Sequence, residues 1–443
     1  MIVQIEALSY MCLRFVRQPL APFQVLIGPN ASGKSTFLDV VAFLADVVRE
    51  KEGVAAAVAT RAPDVRDLYW MRQGNAFELV VETSIPEPLQ RRKNGNHTRV
   101  RYEVRVGLHP ETREISLLAE TLWLRAEAST VGNQVVPQRT LFPMPPPPPE
   151  TIVHAARKRT PAGWRRVLNK VPESGNDYFR SETSEWNNLF RLGPRRSALA
   201  NLPEDEEKFP VSIWFRRLLL EGVQRLALSS AALRRPSPPG SPRHFLPDGS
   251  NLPWVVKDLE DRAPDRLREW ASHLRTTLPD LRGIHTVERP EDRHRYLILD
   301  YETGLRAPSW LISDGTLRML ALTILAYIPD LEGIYLIEEP ENGIHPRAVE
   351  TVLQSLSSVY GAQVLLATHS PVILSLAEPQ QVLCFDRTDE GATDIVRGSE
   401  HPRLRKWRGE TDLGTLFASG VLQGHTEPAF PRFTQALQRW FSP

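Results

Sequence analysis

The residues with the clearest chemical capacity lie near the start of the chain, in Gly28-Pro29-Asn30-Ala31-Ser32-Gly33-Lys34-Ser35. They fit GxxxxGK[ST] at every fixed position. Glycines in such a loop let backbone N–H groups curl round phosphates, and a following helix adds the partial positive charge of its N-terminus. Lys34 then reaches the outer phosphate oxygens and Ser35 ligates Mg²⁺. Asn30, Ser32, Gly33 and Thr36 complete the cradle. The ligand this predicts is ATP with Mg²⁺.

Two further segments supply reactive groups. Ile334-Tyr335-Leu336-Ile337-Glu338-Glu339-Pro340 is an apolar strand ending in paired acids. Glu338 there can reach Mg²⁺ or its water, and Glu339 can orient or deprotonate an attacking water. Alone, such acids would read as a solvated strand end. Val364-Leu365-Leu366-Ala367-Thr368-His369-Ser370-Pro371 is a second apolar strand with a histidine at its end. His369 suits a γ-phosphate contact or a water organiser, because one ring nitrogen donates while the other is oriented.

These groups need elements to hold them. Phe23 to Ile27 reads as a buried strand entering the loop, and Phe37, Leu38, Val41, Leu44 and Val48 recur at helical spacing after it. From Phe77 to Arg125 the period changes to two. Val100, Tyr102, Val104 and Val106 alternate with Arg99, Arg101, Glu103 and Arg105, giving one buried face and one charged face of an antiparallel sheet. Asn94-Gly95 fits a hairpin connection from the strand Glu78 to Thr83. Pro145 to Pro149 mark a stiff connector. Residues 150 to 250 are rich in Arg, Trp and Pro, with Trp164, Trp186 and Trp214 among short helical patches. Leu259, Leu267, Trp270, Leu274 and Leu278 suggest amphipathic helices, and Arg295 to Tyr301 a strand.

Composition excludes several classes. With 443 residues, 41% hydrophobic, the chain can bury a sizeable core. The longest apolar stretch, Met319 to Ile328, is too short to cross a bilayer, and the N-terminus lacks a signal-peptide pattern, so a cytoplasmic protein is expected. Cys12 and Cys384 alone make neither a disulfide framework nor a zinc site. A net charge of +1 removes the simplest argument for nucleic acid, although residues 151–200 hold ten basic against four acidic side chains.

The order of P-loop, Ser313-Asp314-Gly315-Thr316, acidic strand and Ala367-Thr368-His369-Ser370 resembles the ABC-type ATPase heads of the SMC, RecF and OLD group. The resemblance covers roughly residues 1–130 and 285–400. It implies a P-loop NTPase α/β fold with an antiparallel β part and a helical, Arg/Pro-rich insertion. It also implies that Ser313, Asp314 and Gly315 of one copy cap the γ-phosphate on the other's P-loop, in a homodimer or higher oligomer. Glu341-Asn342-Gly343 would correspond to the D-loop and His369 to the switch histidine. Ser313 is independently a good N-cap for a helix carrying Leu317, Leu320 and Ile324.

The sequence departs from that group at several points. Glu338 stands where an Asp is usual, so its longer arm would reach Mg²⁺ through water, leaving Glu339 as the catalytic carboxylate. Met11 stands where relatives often carry an Arg, with Arg14 as the alternative. Gln73 is the candidate Q-loop ligand to the metal, and an exposed loop glutamine is the other reading. The expected division is residues 1–76 as the P-loop lobe, 77–145 as the antiparallel part, 146–254 as the insertion, 255–400 as the second lobe and 401–443 as an extension.

The P-loop and signature lie 285 residues apart without sustained heptads, which disfavours both a compact transporter head and an SMC arm. Only 74 residues follow His369, too few for an OLD-type TOPRIM nuclease, and Asp386, Asp389 and Glu390 fit a hairpin turn better than a metal site. Two readings remain. One is a sensor or assembly subunit similar to the stand-alone ATPases of anti-phage systems such as Septu or PARIS, acting with a separate nuclease or toxin-like effector; its insertion would bind that partner or foreign nucleic acid. The other is a RecF-like clamp on DNA, weakly favoured by Arg/Trp interleaving from 157 to 217.

Overall fold

The computed structural model describes residues 1–50, 53–91, 97–126, 148–154, 160–171, 177–401 and 414. Most of Pro145 to Pro149, the Asn94-Gly95 turn, Arg157 to Arg159 and nearly all of the extension 401–443 lie outside them.

A six-stranded sheet forms the centre. Its order is β10 (Val223–Leu226), β14 (Ile334–Glu338), β15 (Gln363–Thr368), β3 (Phe23–Ile27), β16 (Val382–Arg387) and β17 (Thr393–Arg397), parallel except for the terminal β16–β17 hairpin. The inner strands are near-continuous apolar runs because both faces are covered. Alternate residues enter different cores. Leu26, Leu336 and Leu365 join the cluster with the helix Lys34–Arg49, whereas Val25, Ile337 and Leu366 join the helices Leu252–Arg262, Pro264–Leu274, Asp314–Thr323 and Pro346–Ser357. Among the described residues no helix is long and apolar enough to cross a membrane.

A second, eight-stranded antiparallel sheet runs in the order β2 (Leu13–Pro19), β1 (Ile2–Tyr10), β4 (Ala76–Ser84), β5 (His97–Leu108), β6 (Ile115–Ala126), β7 (Trp164–Lys170), β8 (Tyr178–Arg180) and β9 (Asn187–Leu189). As the alternation predicts, Val100, Tyr102, Val104 and Val106 are fully buried. The opposite face differs from expectation, because Arg101 and Glu103 are buried too. Residues 151–154 lie across that face: Thr151 and the Ile152 N–H donate to Glu78, the Ile152 carbonyl accepts from Arg101, and the His154 N–H donates to Glu103. A three-stranded sheet, β11 (Leu281–Glu288), β12 (Arg295–Tyr301) and β13 (Arg306–Pro308), completes the fold.

The segment 146–254, expected as a helical insertion, holds strands as well as the helices Pro210–Arg217 and Ser230–Arg234. β7 to β9 extend the antiparallel sheet and β10 pairs in parallel with β14, so this stretch is built into both sheets. Trp164 lies on β7; of the three tryptophans only Trp214 lies in a helix, Pro210–Arg217. Pairing with neighbours overrides the local composition there.

Candidate functional site

The parallel register brings three strand ends together. Thr368 lies opposite Ile27, and Glu338 opposite Ala367, so the loops after β3, β14 and β15 leave the sheet along one edge. Clefts in such sheets form outside the carboxyl ends of the strands. Here a cleft of about 520 Å³ is lined by Asn30 to Thr36, Glu338, Glu339 and His369, together with Met11, Cys12 and Arg387.

Gly33 turns the loop into the helix at φ 101°, a conformation an L side chain rarely adopts, and a Cβ there would sit 2.2 Å from Thr393 Oγ1. Lys34 opens the helix, is 6% exposed, and its Nζ donates to the carbonyls of Gly28 and Pro29 at 2.9 Å each. Desolvation lowers its pKa to about 8, against the opposing pull of Glu339 and Glu338. Ser32 is fully buried, and its hydroxyl has no hydrogen-bond partner among the described residues. A cation on carbonyl oxygens beside an orphaned hydroxyl fits a polyanionic ligand, since buried polar groups are normally paired.

Ser35 Oγ donates to Glu338 Oε2, and Arg225 Nη2 meets Glu338 Oε1 at 2.6 Å. Among the described residues no group of three or more His, Cys, Asp or Glu could hold a metal ion. A hydroxyl and a single carboxylate suit Mg²⁺, which keeps waters and takes phosphate oxygens as its remaining ligands.

Glu339 adopts φ 48°, outside the usual range for a non-glycine residue, and its N–H donates to the Ala367 carbonyl at 2.8 Å. Asn342 Nδ2 donates to its Oε2, and His369 Nε2 lies 3.8 Å from its Oε1. Glu341 accepts from Thr368 Oγ1 at 2.5 Å and from the His369 N–H at 3.2 Å, fixing the start of the histidine loop. Residues 341 and 342 therefore brace His369 and Glu339 within the same chain.

Over residues 23–375 the sequence matches the family described as "AAA domain, putative AbiEii toxin, Type IV TA system". The chain belongs to this AAA family. No curated protein matches it in sequence. Solved structures similar to it include an Smc head bound to the C-winged helix domain of ScpA, at 13% identity over 89% of this chain and 96% of that one, with TM-score 0.48. Another is the Pyrococcus furiosus Smc head bound to the C-terminal domain of ScpA, at 11% identity over 89% and 95%, TM-score 0.48. The Thermotoga maritima SMC head domain has 9% identity over 89% and 98%, TM-score 0.41. These are distant likenesses, and membership rests on the sequence match.

Within this AAA P-loop ATPase fold, Asn30, Ser32 to Thr36, Glu338, Glu339 and His369 meet in one cleft, while Gly28 lies outside its lining and accepts from Lys34. Other expected residues do not meet there. Gln73 is exposed in the turn after Trp70-Met71-Arg72 and is absent from the lining, because that turn folds back on Trp70. Arg14 pairs with Glu390 at the surface, leaving Met11 at the cleft. Ser313 caps the helix Asp314–Thr323, accepting from the Thr316 N–H, and Asp314 pairs with Arg234 at 2.7 Å. A Cβ on Gly315 would sit 2.4 Å from the Gly343 carbonyl, so this loop packs on Gly343 and Ile344, and Ser313, Asp314 and Gly315 are absent from the lining of their own chain's cleft. Arg225, Cys12 and Arg387 carry no sequence signal for a place at or beside the cleft. Arg225 sits on a four-residue strand without periodicity, Cys12 is a free thiol without a motif around it, and Arg387 ends β16 beside a hairpin turn.

Proposed function

We propose that the chain binds and hydrolyses ATP with Mg²⁺, that two copies close with the nucleotides between them, and that closure is relayed to a separate nuclease or toxin-like effector in cytoplasmic defence against phage. The observation that carries the ATPase reading is the convergence of Lys34, the unpaired Ser32 hydroxyl, Glu338 and Glu339 on one cleft at the strand ends. The backbone N–H groups and Lys34 bind and orient the phosphates. Ser35 and Glu338 would hold Mg²⁺, which neutralises charge on the phosphate oxygens when bound. Glu339, fixed through its backbone and Asn342, accepts a proton from the attacking water, and His369 beside it orients that water or the γ-phosphate.

Dimerisation rests on Ser313, Asp314 and Gly315 lying away from their own chain's cleft, which suits a role against a second copy. The defence reading draws on the family description, which names a toxin–antitoxin system. A DNA-gripping clamp draws less support. Arg165 and Lys170 donate to backbone carbonyls, Arg166 covers Trp123, and Arg195 and Arg216 pair with Glu114 and Glu204.

The decisive experiment compares wild-type protein with Glu339→Gln. The variant should retain ATP, lose about 100-fold or more in turnover, and double in mass by light scattering when Mg-ATP is added. Hydrolysis at the wild-type rate would remove Glu339 as the base. An unchanged monomer mass would remove the sandwich.

A further inference from the structure

The Glu338 carboxylate has two oxygens with two different partners. Oε2 accepts from Ser35, the hydroxyl placed for Mg²⁺, while Oε1 is held by the Arg225 guanidinium at 2.6 Å. Arg225 comes from β10, the edge strand beside β14. It lies opposite Leu336, and Glu338 follows Leu336 by two residues, so both side chains rise from the same face as diagonal neighbours. That reach suits a long arginine. Arg225 also lines a smaller hollow with Asp39 and Asp46, but those acids are bonded to Arg61.

A glutamate at the end of a strand has one more rotatable bond than an aspartate, and hence more orientations to lose when it must face a metal. An arginine on one oxygen restricts that freedom and leaves the other oxygen free to accept. The guanidinium occupies Oε1 and leaves Oε2 as the oxygen facing Ser35 and the cleft. The pair is partly exposed, with Arg225 at 56% and Glu338 at 28%, so it contributes little to stability. Its effect falls on carboxylate orientation.

We propose that Arg225 is a positioning residue for the magnesium carboxylate, holding the long arm of Glu338 so that Oε2 faces Ser35 and thereby setting the Mg²⁺ requirement of nucleotide binding. The proposal rests on the Mg-ATP reading of the cleft. It also makes β10, reached through residues 146–222, a direct neighbour of the metal ligand.

The test is a Mg²⁺ titration of binding of a fluorescent ATP analogue to the full chain, with melting temperature measured in parallel. Partners that orient metal ligands typically affect metal affinity by 10- to 100-fold. Arg225→Ala should therefore raise the half-saturating Mg²⁺ about tenfold or more, with an unchanged melting temperature, and Arg225→Lys should recover part of the loss. Glu338→Asp shortens the arm away from β10, so Arg225→Ala should add nothing in that background. A Mg²⁺ midpoint in Arg225→Ala within about twofold of wild type, or an equal shift in both backgrounds, would overturn the proposal. Wild-type binding that ignores Mg²⁺ would overturn the reading of the cleft itself, a result visible before any Arg225 variant is compared.

Discussion

Two groups of charges are held near the sheets, and they are bonded in opposite ways. On the antiparallel sheet, Arg101 is 2% exposed and is bonded to Glu6, Glu82 and Glu103 at 2.6–2.9 Å, while Trp123 and His154 also bond to Glu103. Every carboxylate in the network is paired, with Arg17 and Arg125 completing it at the rim. In the cleft, among the described residues, Lys34 donates to the Gly28 and Pro29 carbonyls, the Ser32 hydroxyl has no partner, and Glu338 is shared between a hydroxyl and an arginine. Charge density alone does not mark a binding site. Unsatisfied valence beside an open volume does, because a closed network has nothing left to offer a ligand.

The sharpest way to break this comparison is to open the closed network. Arg101→Ala would take the shared buried cation from Glu6, Glu82 and Glu103, leaving them Arg17, Arg125 and His154 at the rim, and removing one partner of a buried ion cluster costs about 3–5 kcal/mol. Chemical denaturation should show a loss of that size, with ATP affinity of the folded fraction unchanged. A loss below about 1 kcal/mol would mean that water reaches the network and that the two regions are not opposites. Lys34→Ala should do the reverse. Its desolvated ammonium adds little to stability, so the melting temperature should hold while ATP affinity falls about 10- to 100-fold, the effect of losing hydrogen bonds from a charged donor. A fall in stability without a fall in affinity would reassign Lys34 as structural.

The same contrast explains what the sequence made legible. β3, β14 and β15 are buried on both faces, so each reads as a near-continuous apolar run, and after β14 and β15 the polar residues ending the run are where chemistry begins. Glu338, Glu339 and His369 stand out that way, whereas Lys34 stands out through the GxxxxGK[ST] spacing. The alternation along β5 placed its apolar side chains correctly. It could not show that the charged side would be covered, because burial of Arg101 depends on acids from β1 and β4 and on residues 151–154. β7 to β10 were illegible for a related reason. Val223-Gln224-Arg225-Leu226 has no strong period, and its place beside β14 is decided by a partner more than a hundred residues away. Arg225 is a residue that sequence spacing could not have nominated. Gln73 is the opposite case, a plausible residue type whose turn keeps it away from the cleft.

The smallest expected effect separates the two regions by pH alone. Lys34 has a folded pKa of about 8, below its ordinary 10.5, so the empty cleft loses its charge as pH rises through about 8. A bound triphosphate favours the charged ammonium, and binding above that pH must take up a proton. ATP affinity should therefore be flat below pH 8 and fall by up to about tenfold per unit above it, with the slope absent in Lys34→Ala. The closed network fails at the other end of the scale. Burial raises the pKa of Glu103, but His154 and Arg101 outweigh it and bring the group from 4.5 to about 2. A depressed carboxylate contributes stability above its unfolded pKa, and that contribution drains away as pH falls from about 4.5 toward 2. Melting temperature measured across that acid range, beside ATP titrations between pH 7 and 10, should give two non-overlapping transitions. If affinity tracks the acid transition, or stability the alkaline one, the cleft and the network are coupled and the separation drawn between them is wrong.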